Sequence, residues 1–272
     1  MVISILGCGW YGRALAKSLI QKGISVKASA TSAEKLEQLS AEGINPYLAR
    51  FDADSENFDP AFFHCNILVI AITPKFRKGE TTGYLPKINR IIDVIKQNQI
   101  KKVIYISSTG VYGDHNNEVS ESDDPKPDTE SGAILWEAEK LFQKEPAFKT
   151  TVIRFAGLVG PGRHPGRFFA GKKEIPNGLA PVNLIHLEDC VGISMAIIGK
   201  DAFGYLFNAC SPDHPPKEDF YRDSTEKAGL PIPGFKHELN RHKTVISNNL
   251  NNILNYQFRI ANWKDCTFNE TS

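Results

Sequence analysis

Three glycines within six residues, Gly7-Cys8-Gly9-Trp10-Tyr11-Gly12, constrain this chain more than any other feature, because of what flanks them. Before them, Val2–Leu6 is a run of strand length, apolar but for Ser4. After them, 10–22 carries apolar residues at helical spacing. In such a strand-to-helix turn the first glycine permits the tight bend. The second lets backbone approach a pyrophosphate, and the third lets the helix pack close to the strand. The helix N-terminus then favours phosphate charge. Alone, the pattern marks only a tight turn. With a strand before it, a helix after it and further strand–helix units beyond, it reads as a dinucleotide-binding turn.

Those further units are regular. Strands are predicted at 2–6, 24–29, 45–51, 66–72, 101–107 and 149–155, and helices at 10–22, 32–41, 85–98 and from Ser131 onward. The run 66–72 is apolar from Ile67 onward, as in a central strand covered on both faces. This alternation means an α/β protein with a doubly wound parallel sheet. The pattern loosens after Phe155. Residues 1–155 are expected to form the nucleotide-binding domain, with 181–199 returning to it, and 156–272 mostly a smaller C-terminal substrate lobe over the strand ends. A chain of 272 residues with net charge +1 gives no reason to expect nucleic acid or an anionic membrane as partner. The start of the chain does not read as a signal peptide, and no apolar run is long enough to span a bilayer. The five cysteines are scattered, without C-x-x-C. They read as thiols of a reducing cytoplasm rather than metal ligands.

Gly7, Gly9, Trp10, Tyr11 and Gly12 are the first cofactor candidates. An NAD site usually has Asp or Glu about 20 residues on, to hold the ribose hydroxyls. Here 29–32 reads Ser-Ala-Thr-Ser. Thr31, Ser32 and Lys35 instead favour the 2′-phosphate of NADP over NAD, the alternative being that they cap and coat a surface helix.

Taken in order, "GCGWYG" (7–12), "SSTGVYG" (107–113), "RFAGLVGPGR" (154–163) and "NLIHLEDCV" (183–191) make the chain resemble the extended short-chain dehydrogenase/reductase superfamily, the NAD-dependent epimerase/dehydratase group. The likeness covers nearly the whole length. It implies a Rossmann fold with a substrate lobe, a small-molecule substrate and a possible homodimer through 85–98 and 131–145. It implies that Asp52 and the backbone of Ala53 meet the adenine, that Ala71, Ile72 and Thr73 line the cofactor, and that Ser108 hydrogen-bonds the reacting oxygen.

The resemblance also implies a Tyr-x-x-x-Lys pair on the next helix, and here the chain departs from it. One register places Ser131 and Leu135 at the two positions, a second Trp136 and Lys140, and neither contains a tyrosine. Serine without a partner base is too weak an acid for the task, and an indole only donates. Ser131 is expected to be the helix N-cap. Tyr84 and Tyr112 are the substitute candidates for proton transfer. Asp114 and His115 fit a solvated turn, and Asp189 a helix cap. Arg163 and His186 are candidate substrate ligands, Arg163 beside His164 and Arg167 in a glycine-rich cationic loop. The expected activity is an NAD(P)-dependent oxidoreductase or epimerase/dehydratase acting on a small polar, nucleotide-sugar-like substrate with a non-standard acid/base. The alternative is a dinucleotide-binding sensor without turnover.

Overall fold

The structure, a computed structural model, describes residues 1–74, 82–266 and 268; the last residues of the expected lobe, 269–272, lie outside them. The N-terminal half alternates as its apolar runs require: Val2–Leu6 (β1), Trp10–Gln21 (α1), Ser25–Ala30 (β2), Ala33–Ala41 (α2), Asn45–Phe51 (β3), Glu56–Phe58 (β4), Ile67–Ile70 (β5), Tyr84–Gln97 (α3) and Lys102–Ser108 (β6). Then come Asn117–Val119 (β7), Glu130–Lys144 (α4), Lys149–Phe155 (β8), Gly157–Val159 (β9), Gly166–Phe169 (α5), Leu184–His186 (β10) and Leu187–Gly199 (α6). Leu206–Ala209 (β11), Lys217–Lys227 (α7), Lys243–Val245 (β12) and Asn248–Asn252 (α8) complete the chain.

Among the described residues eight strands form one sheet in the order β11-β8-β6-β5-β1-β2-β3-β4. All neighbours are parallel except β3 with β4. Both faces are covered, so β5 and the middle of β6 are buried throughout. One face packs α1, α2 and α6 through Leu15, Leu19, Leu39, Ile193 and Ile197. The other packs α3 and α4 through Ile88, Ile91, Ile95 and Phe142. Each aliphatic side chain buried this fully contributes roughly 1.5–3 kcal/mol over leaving it in water.

The C-terminal part does not form one separate lobe. Its strand β11 pairs with β8 as the last strand of the main sheet, so the return of the chain extends past 181–199. The remaining lobe has its own core of Val159, Val182, Leu184, Phe220, Tyr221, Trp263 and Phe268. Two small parallel ladders, β10 with β9 and β12 with β7, tie it to the ends of the central strands.

Under the sheet end lies a buried ion pair. Arg154 on β8 and Glu139 on α4 have side chains 1% and 0% exposed, with Nη2 2.6 Å from Oε2. Glu139 also accepts from Ser107 Oγ at 2.5 Å, and Arg154 Nη1 donates to Tyr112 Oη at 2.6 Å. Every polar atom in this cluster is met, which a charge in a dry interior requires. Removing one partner strands the other. Glu139→Gln is expected to lower unfolding free energy by about 3–5 kcal/mol, read from urea unfolding followed by circular dichroism.

Candidate functional site

At β1 the order of the sheet reverses. The chain runs outward through β2 and β3, then returns to β5 on the other side of β1. Such a crossover leaves a crevice beyond the carboxyl ends of the two central strands. The glycine turn sits on it. Gly7 has φ +91°, and a Cβ there would lie 2.9 Å from the backbone carbonyl of Ala71. Its N–H donates to Ser29 Oγ at 2.8 Å, which gives the polar end of β2 a structural task. A Cβ on Gly12 would sit 3.0 Å from Gly7 O, so the third glycine permits the close helix–strand approach. At Gly9 a Cβ would meet nothing within 4 Å. Open space therefore lies over the backbone where the first-turn N–H groups of α1 have no partner in their own helix.

That space belongs to a cleft of ≈ 1000 Å³. Gly7, Gly9, Trp10, Thr31, Lys35, Asp52, Ala71, Ile72 and Thr73 line it, and Gly12, Tyr11, Ser32 and Ala53 do not. The Tyr11 ring is buried between α1 and α6, edge-on to Phe155 at 5.0 Å, with its hydroxyl 2.6 Å from Ser194 Oγ. Only its backbone is available to a ligand at the turn. Ser32 holds the N-cap position of α2, without a side-chain cap bond. Ala53 turns its carbonyl to Arg90 Nε at 3.2 Å.

Cys8, Arg13, Lys17 and Arg50 also line the cleft and were not anticipated. Arg13 and Lys17 follow the turn at the helical spacing of four and share Glu42, each at 2.8 Å. Arg50 is held by Asp52 at 2.7 Å. Lys35 has no carboxylate partner among the described residues. Burial pushes the Cys8 thiol up to about 12, so it is protonated and not a nucleophile at neutral pH.

At the end of β6, Ser108 is half-buried and its Oγ accepts from Gly110 N at 3.1 Å. Helix α4 abuts this loop so closely that a Cβ on Gly132 would lie 2.3 Å from Gly110 O. The cap of α4 is Thr129, whose Oγ1 accepts from Gly132 N at 3.1 Å, and not Ser131, which lies inside the first turn. Trp136 packs on the core with the Arg154 guanidinium 5.5 Å from its ring. The two tyrosines proposed as substitutes both hold hydrogen bonds within the fold. Tyr84 is fully buried and donates to Ile72 O at 3.1 Å. Tyr112 is 1% exposed, between Ser120 O, Asn208 Oδ1 and Arg154, and burial raises its pKa further from neutrality.

The lobe reaches the turn through Trp10, whose Nε1 donates to Pro161 O at 2.7 Å. The Arg163 guanidinium lies 4.9 Å from the centre of the same indole. His186 is buried and its Nδ1 accepts from Glu188 N at 3.3 Å, so it caps α6, the task expected of Asp189. Burial holds its pKa below the usual range, and it is neutral at pH 7. Asp189 instead anchors the C-terminal segment, accepting from Tyr256 Oη, Arg259 N and Ile260 N.

Comparison with known proteins agrees with this geometry. Residues 7–178 match a family described as NAD(P)H-binding. Protein YeeZ of Escherichia coli K12 is 35% identical over 263 residues, covering 94% of this chain and 95% of that protein. Among solved structures, a functionally unknown conserved protein from Silicibacter pomeroyi superposes with TM-score 0.81 at 24% identity, covering 97% of this chain and 95% of that one. MoeE5 in complex with UDP-glucuronic acid and NAD superposes at 0.76 and 19% identity, covering 95% and 93%. No helix among the described residues is long and apolar enough to cross a membrane.

Gly7 and Gly9 separate fold from site. Gly7→Ala is expected to lose about 1–3 kcal/mol of stability from the left-handed backbone alone. Gly9→Ala is expected to melt like the wild type yet bind NADPH at least about tenfold more weakly, about 1.4 kcal/mol. Thermal melts and titration calorimetry check the two halves.

Proposed function

Because this chain belongs to the NAD(P)H-binding family, we propose that it is an NAD(P)-dependent oxidoreductase or epimerase of the short-chain dehydrogenase type. Its cofactor is preferentially NADP, and its substrate a small polar molecule of nucleotide-sugar character. The observation that carries this reading is the charge arrangement of the cleft. No carboxylate stands at the end of β2, where one would hold an NAD ribose. Thr31 and Lys35 line the cleft there, and Lys35 has no carboxylate partner among the described residues. A 2′-phosphate placed there would meet a hydroxyl and a cation.

The residues fit the rest of a dinucleotide. The open backbone at Gly9 admits a diphosphate, and Asp52, fixed by Arg50, offers a carboxylate oxygen to an adenine amino group. Ala71 and Ile72 continue the wall towards the end of β6. When bound, the nicotinamide would give or take a hydride. Ser108 would donate a hydrogen bond to the reacting oxygen of the substrate, held in place by the 109–111 turn it caps. The nucleotide-sugar class is supported by the likeness of the fold to MoeE5, which was solved with UDP-glucuronic acid and NAD.

One observation favours a second reading, a dinucleotide-binding sensor without turnover. Helix α4 carries no tyrosine, and Tyr84 and Tyr112 are locked into the fold. Stereospecifically deuterated NADPH and NADH, incubated with a panel of carbonyl and nucleotide-sugar substrates, distinguish the two. Turnover predicts deuterium transfer or washout, faster with NADPH, and a loss of about 10²-fold in Ser108→Ala. Tight cofactor binding with no transfer across the panel would leave the sensor.

A further inference from the structure

The loop 160–163 is built as a rigid bracket over the glycine turn. Arg163 N donates to Gly160 O at 2.8 Å, and Gly160 N to Arg163 O at 3.3 Å. Gly160 and Gly162 take φ of +143° and +73°, conformations that L side chains rarely adopt. The fold thus commits two glycines to one tight turn. That turn presents Pro161 O to Trp10 Nε1 at 2.7 Å and Arg163 to the face of the same indole at 4.9 Å. Trp10 is the first residue of α1 and, with Pro161, lines the cleft.

Charge pairing distinguishes Arg163 from Arg13, Lys17 and Arg50. Arg13 and Lys17 are engaged by Glu42, and Arg50 by Asp52. Arg163 has no carboxylate partner among the described residues and is solvent-exposed. A guanidinium stacked on an indole is pre-organised, and its in-plane N–H groups stay available for bidentate bonds to phosphate oxygens. It stands at the N-terminal end of α1, where unpartnered backbone N–H groups and the helix dipole already favour an anion.

We propose that Arg163 is a ligand of the cofactor diphosphate, supplied by the lobe and positioned by Trp10, rather than a ligand of the substrate. The diphosphate is then held from two sides, by the first turn of α1 and by Arg163. The 2′-phosphate falls to Thr31 and Lys35 at the other end of the cleft. Cofactor binding consequently fastens the lobe to the nucleotide-binding domain through the bracket. This inference rests on the cofactor reading above.

Three probes separate the phosphate positions: NADPH, which has both, ADP-ribose, which has the diphosphate alone, and adenosine 2′-monophosphate, which has the 2′-phosphate alone. Calorimetric titration of the wild type, Arg163→Ala and Arg163→Lys tests the assignment. Arg163→Ala is expected to weaken NADPH and ADP-ribose about tenfold or more each and to leave adenosine 2′-monophosphate within about twofold. Arg163→Lys keeps the charge without the planar fork and is expected to fall between. Unchanged ADP-ribose affinity in both variants overturns the proposal while leaving the cofactor reading intact, and so does an equal loss for all three probes. A wild type that binds neither NADPH nor ADP-ribose overturns both.

Discussion

The close approach of the β1 turn to the end of β5 is the constraint on which the rest of this structure depends. Ala71 N–H donates to Leu6 O at 2.8 Å, and its carbonyl occupies the place where a side chain on residue 7 would begin. On the other side Ser29 Oγ accepts the Gly7 N–H. The central strand is therefore clamped by both neighbours at the point where the sheet order reverses. Glycine there lets α1 start at once and keeps the crevice open. From that crevice follows the open space over the backbone at Gly9.

A second fixed point lies under the other half of the site. The Glu139–Arg154 pair joins α4, β6 and β8 in one buried polar cluster with Tyr112 and Asn208. It sets the height of α4 against the Ser108 loop, where Gly132 touches Gly110. A buried pair of this kind contributes less to stability than its geometry implies, because both ions are desolvated. Its consequence is positional: the Tyr112 hydroxyl is committed to the arginine, and Ser108, next to Ser107, is left half-buried.

Much of this was legible in the residues. The runs 45–51 and 149–155 form β3 and β8 as read: β8 is buried along nearly its whole length, as a strand covered on both faces is, while β3, beside the edge strand β4, is mostly half-buried or exposed. The glycine turn was legible because its spacing carries a mechanism. The misses share a cause, which is selection by distant contacts. β9, β7 and β12 are three residues each, too short to show a period. The cap of α4 went to Thr129 over Ser131, with Gly132 in the first turn of the helix set against Gly110 of the 109–111 turn. Tyr11 and Trp10 are neighbours with opposite fates: one turns into the core against Ser194, the other out to Pro161. No local pattern distinguishes them. Arg13 and Lys17 carried a usable signal, since basic residues at i and i+4 in a helix that opens with a glycine turn share the face that continues from it.

A crystal structure of the protein with NADPH tests the account at its centre. It predicts the dinucleotide in the cleft between the ends of β1 and β5, the diphosphate over Gly9 and the first turn of α1, and the 2′-phosphate beside Lys35. A dinucleotide seated anywhere else, or no bound dinucleotide at saturating concentration, would contradict it.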